Sequence, residues 1–580
     1  MKYEDPQYLA ESWKGGQTRH LIVKPSISSS ANLALHWLKS CDQEHESCKE
    51  HGADTPLPKR LVAVGPETNS GIHLFEHDDV KSPLKGKYVA LSHCWGLSQH
   101  LTSIHANIED WKKNIPWDLL PKTFQEAISL TRALGLSYVW IDSLCIIQDD
   151  AQDWDIEASK MGNIYNQAYL VIAATASVDG DGGLLFEKSP FVTIDGMDQN
   201  QKPFQVFFRY ACSHSIFNWG VPSSRTQRAT RYSLTYDAQA GYPLLTRAWC
   251  FQERLLGKRV LHFTKEEMVF ECLTALNCEC AALSDFKDEW LLPSRQMVSS
   301  DDRSLQPSSL SPTRSAILGR LPEYEVVLDK DSETYKSSSE WYDLASEYSE
   351  KNITRKSDWL PALGGVASKW ISPHTGNYLA GLWSKDLLRG LLWQPSSPDK
   401  TENPEYIAPS WSWASLQRPV KWIYGDNKAK FMVEIDLNAT GCKPKGVNEF
   451  GEVSNGWLSM TGRIVECTLA MLYADDSCGI IQLDAENRHS FFVDSVWRCK
   501  QYVGKKVLCL HYCTDRISKG QTGVHRALVI SPVEDKAIPL IPYTARPGSL
   551  VCRRIGSITY FQPDKLEFEN VSKQMRVCLL

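Results

Sequence analysis

Polar side chains follow two short apolar runs in the first third of the chain. Ser92, His93 and Trp95 come at the end of the run that begins at residue 88, and Asp142 follows the run at residues 138–141. The carboxyl ends of neighbouring parallel strands meet at one edge of a sheet, which is where open α/β sheets bind ligands. We therefore predict a site formed by these four residues, although aspartate is also common at strand ends as a turn residue.

Two charged residues are further candidates for this site. Glu157 lies in a predicted helix at residues 153–167, and Arg247 precedes Glu253 in a later segment. A carboxylate can stabilise developing positive charge, but the helix dipole also favours glutamate in the first turns of a helix. Arg247 can contact a phosphate or form a buried ion pair with Glu253. We take Glu157 and Asp142 as candidate catalytic residues and Arg247 as a candidate ligand contact.

Cys41, His45 and Cys48 have the residue types of metal ligands, in a Cys-x3-His-x2-Cys pattern. The pattern falls in a predicted amphipathic helix at residues 33–49, one face of which would carry all three. A structural zinc site needs a fourth ligand, and the nearby sequence offers none. We therefore predict that these residues pack against the core or cap the helix, with metal binding as the alternative.

A second group of thiols lies at Cys272, Cys278 and Cys280. A local thiol-bearing loop is the interpretation that we favour, again with metal binding as the alternative. The whole chain has 17 cysteines, and several of them lie inside apolar runs. An odd number of scattered cysteines in a large chain is typical of reduced, buried thiols in the cytosol and not of a disulfide framework.

The elements that would position the candidate residues alternate between strand and helix patterns. Apolar runs at residues 88–91, 138–141 and 169–174 have the length of buried strands, and residues 121–135 and 153–167 have the period of amphipathic helices. This β-α-β rhythm predicts an α/β fold with a parallel sheet covered by helices.

Composition restricts the class of protein and its partners. Hydrophobic residues make up 42% of the chain and the net charge is −6, without a block of lysine and arginine, so we predict no nucleic-acid binding. No apolar run reaches the roughly 18 residues that a membrane span requires, and the N-terminal residues lack the apolar core of a secretion signal. We predict a cytoplasmic protein without a membrane span.

At 580 residues the chain is longer than one hydrophobic core usually supports. We predict five regions. They are a helical leader region at residues 1–86, an α/β domain at 87–280 with an insertion at 187–241, a Ser/Pro-rich linker at 281–340, a helical accessory region at 341–440, and a β-rich unit at 441–580.

Four sequence blocks occur in order between residues 88 and 256. They are Tyr-Val-Ala-Leu-Ser-His-Cys-Trp-Gly at 88–96, Trp-Ile-Asp-Ser-Leu-Cys-Ile-Ile-Gln-Asp at 140–149 with Met-Gly-Asn-Ile-Tyr at 161–165, Gly-Gly-Leu-Leu-Phe at 182–186, and Thr-Arg-Ala-Trp-Cys-Phe-Gln-Glu-Arg-Leu-Leu at 246–256. Together they resemble the heterokaryon incompatibility (HET) domain family of fungi. Segments at 363–367, 378–383 and 409–415 resemble the region that follows this domain in large fungal proteins.

The resemblance implies a flavodoxin-like fold similar to that of Toll/interleukin-receptor (TIR) domains. It also implies a role in fungal non-self recognition and programmed cell death, through a homo-oligomer and a protein partner of incompatibility signalling. Some TIR domains also cleave NAD, and a similar reaction here would make NAD a substrate and not a cofactor. Fold similarity alone does not carry an activity.

NAD cleavage would assign specific roles to the candidate residues. Glu157 would stabilise the oxocarbenium ion, and Trp95 would form a shelf for the nicotinamide ring, with Ser92, His93 and Arg247 as further contacts. The Trp-x-x-Glu spacing before Glu157 is one residue shorter than in NAD-cleaving TIR domains. We predict a self-associating signalling protein; the alternatives are an NAD glycohydrolase and a HET-fold enzyme recruited to small-molecule biosynthesis.

Overall fold

The computed structural model divides into two compact units, Met1–Leu321 and Pro322–Leu580. It describes residues 21–49, 55–65, 71–77, 83–96, 101–208, 214, 241–281, 330–396, 405–422, 430–473, 478–482, 488–515, 524–533, 549–561 and 572–580. Most of the predicted linker at 281–340 and much of the predicted insertion at 187–241 lie outside these residues. None of the helices within the described ranges has the length and apolarity needed to cross a membrane.

The first unit combines helices with a mixed sheet. Its helices are α1 (Ile27–Glu44), α2 (Glu46–Lys49), α3 (Ile108–Trp111), α4 (Lys122–Ala133), α5 (Asp142–Cys145), α6 (Ala151–Gln167) and α7 (Ala248–Leu256). Its strands are β1 (Arg60–Ala63), β2 (His73–Glu76), β3 (Val89–Ser92), β4 (Tyr138–Trp140), β5 (Leu170–Ala173), β6 (Val192–Met197), β7 (Pro203–Phe208), β8 (Arg259–Phe263), β9 (Met268–Cys272) and β10 (Leu276–Cys278).

The central sheet has eight strands in the order β10-β9-β8-β5-β3-β4-β1-β2. The inner strands β8, β5, β3 and β4 are parallel, whereas β1 and β9 join them in antiparallel pairs. Every residue of β3 and β5 is buried, which explains why their sequences are apolar runs without alternation. The predicted parallel sheet is therefore correct for the centre, but the whole sheet is mixed because antiparallel strands extend both of its edges.

The helix predicted at residues 33–49 differs in the structure. Helix α1 begins at Ile27, where Ser26 and Ser29 form a capping box, and it ends at Glu44. His45 then adopts an extended backbone conformation, with φ −101° and ψ 100°, before α2 begins. The amphipathic pattern continues through this break, so periodicity alone could not locate it.

The second unit contains helices α8 (Lys330–Tyr348), α9 (Pro361–Trp370), α10 (Leu387–Gly390) and α11 (Val496–Lys500). Its first strands are β11 (Tyr378–Leu379), β12 (Leu382–Trp383), β13 (Trp393–Pro395), β14 (Val420–Trp422), β15 (Lys430–Phe431), β16 (Val433–Ile435) and β17 (Gly441–Pro444). The remaining strands are β18 (Val453–Leu472), β19 (Cys478–Gln482), β20 (Arg488–Val493), β21 (Lys506–Asp515), β22 (Val524–Pro532), β23 (Leu550–Phe561) and β24 (Lys573–Leu579). The β-rich C-terminal part that the sequence predicts is confirmed.

A buried ion pair in the β-rich part of the second unit also contacts the segment at residues 391–393. Arg554 donates from Nε to Oδ2 of Asp494 at 2.8 Å, and both side chains are fully buried. Arg554 also donates to the carbonyl oxygens of Leu391 and Trp393 and lies 3.5 Å from the centre of the Trp393 ring. Since neither charge reaches water, each depends on the other.

Replacing Asp494 should therefore destabilise the second unit strongly. We expect Asp494→Ala to lower the free energy of unfolding by about 3–5 kcal/mol, because it leaves Arg554 buried without its counter-ion. Glu466→Ala is the control, since it removes an exposed pair with Lys506 and should cost no more than about 1 kcal/mol. Urea unfolding followed by tryptophan fluorescence measures both, and equal effects would contradict the expectation.

Candidate functional site

The carboxyl ends of β3 and β4 bring three of the predicted site residues together. The two strands pair in parallel, so the residues that follow Ser92 and Trp140 lie at one edge of the sheet. Trp95 donates from Nε1 to Oδ2 of Asp142 at 2.8 Å. Nδ1 of His93 lies 3.8 Å from Oδ1 of Asp142. One carboxylate thus accepts a hydrogen bond from the indole and lies close to the imidazole.

Asp142 is itself fixed by the start of α5. The backbone N–H of Ser143 donates to Oδ1 of Asp142 at 2.7 Å. A carboxylate in the first turn of a helix is also favoured by the helix dipole. Asp142 is thus the first residue of α5, and it makes its contacts with His93 and Trp95 from this position.

Gly96 closes the loop that carries His93 and Trp95. Its φ is +76°, and a Cβ at this position would lie 2.4 Å from Cβ of Asp179. Only glycine adopts this conformation without strain, and only glycine allows the loop after β5 to approach so closely. The loops after β3 and β5 are thus in direct contact at the end of the sheet.

Helix α7 adds a buried acid beside Ser92. Glu253 is almost completely buried, and this burial raises its pKa from 4.5 to about 8. The charge of Asp142 raises the pKa further, whereas a hydrogen bond from the Ser92 side chain and the charge of Arg247 lower it. At neutral pH the Glu253 carboxyl group is therefore mostly protonated, and it could donate a proton.

Arg247 joins this group from the N-terminal end of α7. It lies just before the first residue of the helix, and its guanidinium group interacts electrostatically with Glu253 and Asp142. Because Glu253 is mostly protonated at neutral pH, Arg247 lies near a neutral carboxyl group there, and its role as a ligand contact stays a prediction. Arg247 is the cation of the cluster that we name the strand-end cluster: Ser92, His93, Trp95, Asp142, Arg247 and Glu253.

Glu157 lies on α6, outside the strand-end cluster. Its side chain is 2% exposed, and Nζ of Lys160 lies 3.0 Å from its Oε1. Glu157 and Asp142 both interact electrostatically with the Cys145 thiol, which lies between them in the chain. Among the contacts of the described residues, however, none joins Glu157 directly to the strand-end cluster. Its catalytic role stays a prediction.

The family comparison covers the same part of the chain. Residues 88–253 match the model of the family described as Heterokaryon incompatibility protein (HET). The chain contains a HET domain. The match begins just before β3 and ends at Glu253, so all members of the strand-end cluster belong to the HET domain. The searches of curated proteins and of solved structures found no match.

The sequence suggests Glu253 only as a partner of Arg247. The signal that could have identified it is its place at the end of an apolar helix that must pack on the sheet. Phe251, Leu255 and Leu256 of α7 are buried, and Glu253 lies among them. A carboxyl group on the buried face of such a helix is a candidate for a raised pKa, and perturbed pKa values cluster at functional sites.

The pH dependence of stability tests the state of Glu253. The folded protein keeps this proton up to about pH 8, but the unfolded chain loses it near pH 4.5, so the folded state loses stability as the pH rises between these values. Because Glu253→Gln cannot ionise, we expect it to gain stability over the wild type by up to about 1.4 kcal/mol per pH unit in this window.

Thermal unfolding from about pH 5 to about pH 8 measures this difference. Glu109→Gln, at an exposed position of α3, is the control and should follow the wild type throughout. If the wild type and Glu253→Gln change in parallel, Glu253 does not bind a proton in the folded state at neutral pH.

Proposed function

We propose that this protein acts in fungal non-self recognition and programmed cell death by self-association of the unit that contains the HET domain. The family match supports an incompatibility-type role. We expect the protein to act in the cytoplasm and to have a further protein of the incompatibility response as its partner. An exposed apolar face within the same unit supports the self-association.

This face belongs to the hairpin of β6 and β7, within the insertion predicted at 187–241. Ile194 pairs with Val206, and Val192 and Phe204 lie on the same side of the two strands. The exposed fractions of Val192, Ile194 and Phe204 are 65%, 53% and 45%. In the part of the chain that the structure describes, this two-stranded sheet has no third strand. Isolated hairpins are marginally stable, and exposed apolar patches mark interaction sites.

A second copy of the chain is the partner that this face fits. A two-fold dimer uses the same patch on both protomers, and two apolar sheet faces pack well against each other. Gly196 lies beneath Phe204, and a Cβ there would approach the Phe204 ring to 2.5 Å, so the ring lies flat across the strand. A flat apolar surface of this kind suits face-to-face packing.

The order of the parallel strands supports the fold that the resemblance implies. Numbered among themselves in chain order, β3, β4, β5 and β8 stand in the sheet as 2-1-3-4. This is the order of flavodoxin-like sheets, which bind ligands where the strand order reverses. We infer a TIR-like architecture with this reversal between β3 and β5, next to the strand-end cluster.

Self-association should depend on the apolar face. Ile194→Asp places a charge at its centre, and we expect the self-association constant to fall at least about tenfold, because a buried unpaired carboxylate is costly. Thr193→Asp is the matched control on the opposite face of the same strand and should associate like the wild type. Analytical ultracentrifugation over a range of concentrations measures both. A wild type that stays monomeric, or an unaffected Ile194→Asp variant, would refute the proposal.

NAD cleavage is a second candidate function, favoured by the grouping of acidic and aromatic side chains at the strand ends. Trp95 and Asp142 are in contact there, and Glu253 supplies a protonated carboxyl group. Glu157, on the adjacent helix, is the carboxylate that the family resemblance implies. Cleavage of the nicotinamide–ribose bond needs a carboxylate near the developing cation and an apolar shelf for the leaving ring.

Nicotinamide release from NAD tests this second function. We expect the wild type to release nicotinamide and Glu157→Gln to be slower by about 100-fold or more, because the developing cation loses its carboxylate. Glu109→Gln should keep the wild-type rate, and Glu157→Gln should still self-associate. Release by Glu157→Gln at the wild-type rate would exclude Glu157, and no release by the wild type would leave self-association as the function.

A further inference from the structure

Four side chains with metal-binding atoms meet between the N-terminal helices and the edge of the central sheet. Cys41 lies on α1, His45 at its end, Cys48 on α2 and Cys272 at the end of β9. Their sulfur and nitrogen atoms all lie within 4.8 Å of one another. The three cysteines are buried. We propose that these residues form a structural zinc site.

The donor set fits zinc. Three thiolates and one imidazole are a common closed set of four ligands for structural Zn²⁺, whereas Mg²⁺ and Ca²⁺ prefer oxygen. With Zn–S bonds of about 2.3 Å, tetrahedral geometry separates the ligand atoms by about 3.8 Å. Cys272 Sγ lies 3.4 Å from Nδ1 of His45, and the other separations between ligand atoms are all within 4.8 Å.

The break between α1 and α2 allows the three residues of the Cys-x3-His-x2-Cys pattern to share one site. In a straight helix, Cys41 and Cys48 would be separated by about 10 Å along the axis, too far to bind one ion. The extended backbone at His45 ends α1 and turns the chain, so that the sulfur atoms of Cys48 and Cys41 lie within 4.8 Å of each other. The interruption of the helix within a continuous amphipathic pattern thus brings the candidate ligands together.

Hydrogen-bond donors surround the sulfur atoms. Cys272 Sγ accepts from the backbone N–H groups of Thr274 and Ala275, at 3.4 and 3.1 Å. Arg259, which pairs with Cys272 across β8 and β9, donates from Nε to Cys41 Sγ at 3.3 Å. Such donors orient the ligands of metal sites and stabilise thiolate charge. Three thiolates and Zn²⁺ carry one net negative charge, and Arg259 supplies a positive charge beside it.

The site would fasten segments that lie outside the family match. Residues 41–48 precede residue 88 and Cys272 follows residue 253, so the ion would join the two flanks of the HET domain. Trp37 of α1 stacks on Phe270 of β9 in the same interface, with ring centroids 6.0 Å apart. A zinc ion here would lock the N-terminal helix onto the sheet edge.

A second cluster of candidate ligands must be separated from this site in any experiment. His214, Glu267, Cys278 and Cys280 also have their ligand atoms within 4.8 Å of one another. Nε2 of His214 lies 2.6 Å from Oε1 of Glu267, so those two groups satisfy each other without an ion. The double variant Cys278→Ser/Cys280→Ser removes this second cluster as a source of bound metal.

Metal content and X-ray absorption of the full-length protein test the proposal. In the Cys278→Ser/Cys280→Ser background, expressed with zinc, we expect one bound zinc ion with three sulfur and one nitrogen ligands at about 2.3 and 2.0 Å. Adding Cys272→Ser or His45→Ala should abolish or greatly reduce the bound zinc. Cys145→Ser, at another fully buried cysteine, is the control and should retain it.

The absorption spectrum keeps the test valid if the Cys272→Ser variant does not fold, because it is recorded on protein that has all four ligands. Absence of zinc after purification without chelators would overturn the proposal. So would zinc that Cys272→Ser retains in full, an oxygen-rich ligand set, or a disulfide bond between two of the three cysteines.

Discussion

The parallel pairing of β3 with both β4 and β5 is the constraint on which the first unit depends. Strands β3 and β5 are buried along their whole length, which favours apolar residues throughout. Polar side chains can appear only where the strands end, and parallel pairing puts those ends at one edge. Ser92, His93, Trp95 and Asp142 are therefore neighbours because of strand direction, although two segments of the chain supply them.

Burial at this edge determines the chemistry of the cluster. Helix α7 covers the end of β3 and excludes water from Glu253, so its proton is retained to about pH 8. Asp142, in contrast, receives hydrogen bonds from Trp95 and Ser143. The two carboxyl groups thus lie in different environments. Such a difference is the usual way in which a fold gives one carboxyl group the role of an acid and another the role of a hydrogen-bond acceptor.

The sequence predicts the central strands and the residues at their ends, because both follow from local patterns of apolar and polar residues. It does not predict the antiparallel strands at the edges, because the sequences of β1 and β9 are short apolar runs that do not indicate strand direction. Cys272 could not be recognised as a partner of Cys41, His45 and Cys48, because only tertiary folding brings it close. From the sequence, Glu253 is a candidate for a buried ion pair with Arg247, but its raised pKa is not predicted, because the extent of its burial depends on packing against the sheet.

Residues that support the two candidate functions lie on one connection of the fold, between β5 and β8. The chain that leads from β5 to β8 contains first the β6–β7 hairpin and then α7, which carries Glu253. The hairpin carries the apolar face proposed for self-association, and α7 carries the acid of the strand-end cluster. Any displacement of α7 changes the solvation of Glu253, and desolvation is the main cause of its raised pKa. Self-association at the hairpin would therefore alter the chemistry at the strand ends only if it displaced α7.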